Sequence, residues 1–213
     1  MMIFKKLSWV KLSYIIITLV FTFSAGLCQA EDKNTYINPT IGFKITKPEA
    51  WHYATVAQNL ENLKKIEFGN PEFQTALQNY ASSPLVILTK FSEPFDDLNP
   101  SLKVGLKPYG ALSRTAPVDI INTLLPQFNK IFSDLTLTQV PVDYNLAGIK
   151  SAYARFNYTL TTADGNKFPT TSELWIVPYG DYFFLIGAGT RQDELTGTRT
   201  EIHDILKTII IEQ

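Results

Sequence analysis

Residues 149–189 read IKSAYARFNYTLTTADGNKFPTTSELWIVPYGDYFFLIGAG. From Lys150 to Thr161 the residues alternate. Ala152, Ala154, Phe156, Tyr158 and Leu160 fall on one side, and Tyr153, Arg155, Asn157 and Thr159 on the other. That period of two marks a strand with one drier face. Asp164-Gly165 follows, a dipeptide that readily takes the positive φ angles of a tight hairpin. Thr170–Val177 is the second strand, Pro178-Tyr179-Gly180-Asp181 a second turn, and Tyr182–Ala188 a third strand, apolar on both sides. A strand dry on both faces must be covered on both, so the sheet needs helices above it, below it or both.

Moving outward, Leu135–Val142 reads as a strand leading into the turn Asn145–Gly148. Before it, Ile121, Leu124, Leu125, Phe128, Ile131 and Phe132 form the wide apolar stripe of a helix that packs on a sheet. Thr115 is its expected cap, Pro117 its start, and Pro126 a kink or an early stop. Leu85–Phe91 is a strand apolar on both faces and Leu102–Leu106 another. Val56–Phe68 and 71–81 are helix-permissive, and Gly69-Asn70-Pro71 separates them. Ile41, Phe43 and Ile45 alternate in a short opening strand that Pro48 ends. At the far end, Ile202, Ile205, Leu206 and Ile209 make the core-facing stripe of a last helix, with Glu201, Asp204, Lys207 and Thr208 on its polar side.

The first thirty residues stand apart. Lys5, Lys6 and Lys11 precede the uncharged apolar run Leu12–Phe23, and Cys28 and Ala30 are the small residues a signal peptidase reads. We read 1–30 as a secretory signal peptide and 31–213 as a single α/β domain. The run is shorter than the ~20 residues of a membrane span, so no span is expected in the exported chain. Lipid anchoring at Cys28 is the lesser alternative, since Leu27 stands where lipoproteins carry a small residue. Removing the leader's three lysines leaves 16 basic against 20 acidic side chains, a net charge of −4. No basic excess remains to attract nucleic acid or an anionic membrane. A monomer with a protein partner, in the periplasm or the medium, is the expectation.

Chemistry is sparse. His52 and His203 are the two histidines, and no nucleophile elbow, zinc-protease helix, phosphate loop or paired C-x-x-C occurs. Trp51 reads first as a core-edge residue and second as a ligand-stacking one. Trp51, His52 and Tyr53, with Tyr109 in a later turn, are the candidate binding residues; no catalytic residue, metal or cofactor is assigned. Glu93, Asp96 and Asp97 crowd an irregular segment, which reads as a solvated loop before it reads as a cation site. With His52, these carboxylates are the cluster to mutate if the protein is instead a hydrolase. Gly187-Ala188-Gly189 reads as close backbone packing.

The order of these features resembles the PsbP-like superfamily. The residues that carry it are Tyr36–Asn38, Gly42-Phe43-Lys44-Ile45 and Pro48-x-x-Trp51, then Gly148 before a long strand, the Asp164-Gly165 hairpin, Tyr182-Phe183-Phe184-Leu185, and a closing helix ending Ile205–Ile211. The resemblance implies an α+β fold, a twisted, mostly antiparallel sheet sandwiched by helices. It also implies a mainly non-enzymatic role, as in photosynthetic accessory subunits, a small-GTPase-binding import factor and bacterial envelope proteins. The expectation is an exported bacterial binding or accessory protein. The alternatives are a secreted host-directed factor and a hydrolase with an unrecognised site.

Overall fold

Three long strands, β7 (Ile149–Thr161), β8 (Lys167–Tyr179) and β9 (Tyr182–Arg191), pair antiparallel as a meander. The computed structural model describes residues 32–66, 84–193 and 197–212. The leader and the helix expected at 71–81 lie outside them. From Lys33 onward the chain forms one compact unit.

The meander is the centre of a seven-stranded sheet with the order β3-β4-β5-β9-β8-β7-β6. Its other members are β3 (His52–Tyr53), β4 (Val86–Thr89), β5 (Ser101–Pro108) and β6 (Thr136–Leu146). All neighbours are antiparallel. The turns work as their residues dictate. Gly165 and Gly180 take φ of 86° and 53°. The β6–β7 turn needs two left-handed residues, and Ala147 fills one of them beside Gly148. One edge of the sheet is the two-residue β3; the other, β6, loses register twice between Leu137 and Val142.

The sheet is covered on both sides. Helix α2 (Pro117–Ile131) sets Ile120, Ile121 and Leu125 against Ala152, Ala154, Phe156, Leu174 and Ile176. On the other face lie Ile202, Ile205 and Leu206 of helix α3 (Thr198–Lys207), together with Phe43 and Ile45 of strand β2 (Phe43–Thr46). They pack on Trp175, Val177, Phe184 and Ile186. Strand β2 belongs to a second sheet, between β1 (Thr35–Asn38) and β10 (Ile210–Ile211). The fold is therefore α+β, a mostly antiparallel sheet between two covering layers.

Four details differ from the sequence reading. Helix α2 runs on through Pro126, which sits on its exposed side, where water can satisfy the carbonyl freed by the missing N–H. Its cap is Ala116, without a side-chain bond, and not Thr115. Helix α1 (Val56–Lys64) is shorter than the pattern, although Thr55 and Gln58 close a reciprocal capping box at its start. The last helix stops at Lys207, because Ile210 and Ile211 are drawn into pairing with β2.

Candidate functional site

On β4 the pleat sends Val86 and Leu88 into the core and Ile87 and Thr89 to the opposite face. Register continues that face across the sheet: Ile87 lies beside Lys103 and Lys103 beside Gly187, while Thr89 lies beside Ser101 and Ser101 beside Gly189. Among the described residues a Cβ on Gly187 would meet no atom within 4 Å, whereas one on Gly189 would touch Ser101 Oγ at 3.8 Å. Gly187 thus leaves open space beside Lys103, contrary to the close packing expected of it.

Helix α1, the loop at 92–99 and the hairpin at 162–166 wall this floor into a cavity of about 490 Å³. The walls are fixed. Asn99 donates from Nδ2 to the Phe91 carbonyl and to Glu93 Oε1, both at 2.9 Å, and accepts from Phe91 N at 3.1 Å. Phe91 and Phe95 stack with centroids 4.5 Å apart. Arg191 Nη1 donates to Asp97 Oδ1 at 2.7 Å, and Asn166 Nδ2 to Asp164 Oδ2 at 2.8 Å. Ala163 N donates to the Lys65 carbonyl at 2.9 Å, joining the hairpin to the end of α1.

Lys103 is the odd group in this enclosure. Among the described residues it makes no hydrogen bond or ion pair. Burial pushes its pKa down to about 8, with the Glu93 charge opposing the shift. Thr89, 5% exposed, also lines the cavity, and its hydroxyl has no partner. A half-buried amine and a buried hydroxyl, neither of them bonded among the described residues, are what a ligand can satisfy.

The residues singled out from sequence are only partly assembled. Trp51 is 1% exposed, and its Nε1 donates to Glu201 Oε2 at 2.7 Å. His52 and Tyr53 are exposed on β3, with Lys47 Nζ 5.2 Å from the Tyr53 ring centroid. Tyr109 follows the opposite end of the eight-residue β5, about 25 Å of strand away. It packs on Phe183 with centroids 5.2 Å apart, and burial raises its pKa. Glu93, Asp96 and Asp97 share the cavity wall, whereas His52 is not part of it. Among the described residues no three His, Cys, Asp or Glu side chains come together as metal ligands.

Sequence reasoning missed a cluster on the opposite face. Glu173, 2% exposed on β8, accepts at Oε1 from the Tyr153 hydroxyl and lies 3.0 Å from His203 Nε2. Its Oε2 and the nearby Trp175 Nε1 have no hydrogen-bond partner among the described residues. Burial, then the bond to Glu173 and its charge, raise the Tyr153 pKa. It missed Lys103 too, although a lone lysine inside a strand of a doubly covered sheet was a readable signal.

No family model and no curated protein matches this chain. Solved structures do. LpqN, involved in cell envelope biogenesis of Mycobacterium tuberculosis, is 12% identical with a TM-score of 0.48, over 80% of this chain and 83% of that one. The cyanobacterial PsbP of Synechocystis sp. PCC 6803 is 10% identical at 0.47, over 84% and 91%. The Ran-binding protein Mog1p of Saccharomyces cerevisiae is 7% identical at 0.47, over 83% and 94%. Each likeness is distant, and the cavity has to be argued from its own residues. Among the described residues no helix is long and apolar enough to cross a membrane.

Proposed function

We propose that this chain is an exported bacterial accessory protein that works by holding a protein partner and turns over no substrate. The observation that carries the reading is Lys103, an unpaired cation in a cavity of about 490 Å³ whose rim carboxylates Glu93, Asp97 and Asp164 are bonded to neighbouring side chains. Such an enclosure is within the size range of ligand sites, about 300–1,000 Å³. Acid–base turnover would have to draw on Lys103 and the wall carboxylates, of which Glu93, Asp97 and Asp164 are already bonded to neighbouring side chains. His52 lies outside the cavity and His203 is held by Glu173 on the opposite face of the sheet. His52 and Tyr53, backed by the buried Trp51, are assigned as outer contacts, and Tyr109 as a separate one. The export pattern of Met1–Ala30 supports the address.

Cell fractionation with a C-terminally tagged chain tests the address, and cross-linked capture from the same fractions tests the role. The expected result is a chain shortened by 30 residues in the periplasm or medium, cross-linked to one recurring polypeptide. Full-length chain in the cytoplasm overturns the address. Hydrolysis of an ester, glycan or peptide panel that is lost in His52→Ala or Lys103→Met overturns the binding role.

A further inference from the structure

The cavity combines three chemistries in a fixed order. At its floor is the unpaired ammonium of Lys103, next to the open space over Gly187 and the unpartnered Thr89 hydroxyl. Its walls are apolar, with Leu63, Ile87, Leu160 and Phe168 among them. Its rim is acidic, and Asp96 is the rim carboxylate that makes no bond among the described residues.

We propose that this cavity captures the carboxy-terminal end of a polypeptide, with the terminal carboxylate on Lys103, the last apolar side chains against the walls, and a basic residue upstream facing Asp96. The proposal rests on the reading above that the protein binds a polypeptide. A carboxylate supplies the charge Lys103 lacks and can accept from the Thr89 hydroxyl as well. Among the described residues the lining carries Lys65 and Lys103 against Glu93, Asp96, Asp97 and Asp164, a balance of −2. A phosphate or other multiply charged anion would be repelled there, whereas a single carboxylate followed by a cation is matched at both positions. Capture of a chain terminus is an established way of recognising extended peptides.

Calorimetry with the purified chain and synthetic peptides tests this. The probes are acetyl-Lys-Gly-Leu-Leu with a free terminal carboxylate, the same peptide amidated, and acetyl-Glu-Gly-Leu-Leu. The free acid should bind, with amidation weakening it about tenfold or more and the Lys-to-Glu change severalfold. Lys103→Met should abolish binding. Gly187→Leu, which fills the open space without a backbone clash, should do the same in a chain that still folds. Asp96→Asn should weaken the lysine peptide and strengthen the glutamate peptide, bringing the two together. Equal affinity for acid and amide, unchanged binding in Lys103→Met, or no binding of any peptide overturns the proposal. If wild type and Lys103→Met then recover the same envelope partner by cross-linking, the binding role stands and this inference alone falls. If neither recovers a partner and no peptide binds, both fall.

Discussion

Trp51 Nε1 donates a 2.7 Å hydrogen bond to Glu201 Oε2, joining residues 150 positions apart in sequence. The same carboxylate takes the ammonium of Lys90. Burial pushes the Glu201 pKa up, but the bonds from Lys90 and Trp51 and the Lys90 charge outweigh it, and the net shift is downward. A carboxylate with a folded pKa below its unfolded value adds stability above the unfolded pKa, about 4.3, and loses it as pH falls through the folded one. Trp51→Phe should cost about 1–2 kcal/mol at pH 7. Urea unfolding should show that cost shrinking below pH 4, as protonation removes the charge that the indole stabilises.

Lys103 should weaken the fold it belongs to. Its folded pKa lies below the unfolded value near 10.4, so between about 8 and 10.4 the unfolded chain binds more protons. Stability contributed by this group therefore rises with pH across that window and is lowest below it. Lys103→Met should stabilise the protein by about 1–2 kcal/mol at pH 7, and the gain should vanish by pH 10.5. Denaturant curves at the two pH values check both the sign and the window.

Gly42 closes the small sheet. Its φ is +56°, and a Cβ there would stand 2.7 Å from the Glu212 Cβ. Glu212 N also donates to the Gly42 carbonyl at 3.0 Å. Gly42→Ala combines left-handed strain with a clash and should cost about 2 kcal/mol or more. The loss should appear as a lower melting temperature, with β10 amides exchanging faster than those of β8.

Tyr153 should hold its proton where exposed tyrosines ionise. Burial and the Glu173 carboxylate both disfavour its phenolate. The tyrosinate absorbance of Tyr153→Phe should match that of wild type up to pH 11. The variant should lose about 1–3 kcal/mol of stability, because the buried Glu173 is then short of a donor.

How much of this was readable before the structure depends on whether a feature is local. The β7–β8–β9 meander is local: alternation, Asp164-Gly165 and Gly180 fix strand and turn together, and the two covering layers follow from Phe184 and Leu185 facing opposite ways. The stripe of α2 was equally plain, but the early stop at Pro126 did not occur, because the proline's effect depends on which side of the helix meets water. Features made by distant residues were hidden. Nothing near Glu201 in sequence marks Trp51 or Lys90 as its partners, so it read as part of a polar helix face. His203 read as a solitary surface residue because its partner Glu173 lies 30 positions away on a strand. The cavity needs Thr89, Lys103 and Gly187 on one face of neighbouring strands, and only strand order brings them there.

The rims of the large sheet carry a consequence of their own. Strand β3 offers a newcomer two residues, and β6 breaks step twice, the second time across Pro141, which has no N–H to give. Copies of the protein that meet in a crowded compartment find only short ladders to extend, two residues on β3 and the unbroken Val142–Leu146 on β6. Rims this short limit how far fibre-like stacking could propagate from the large sheet.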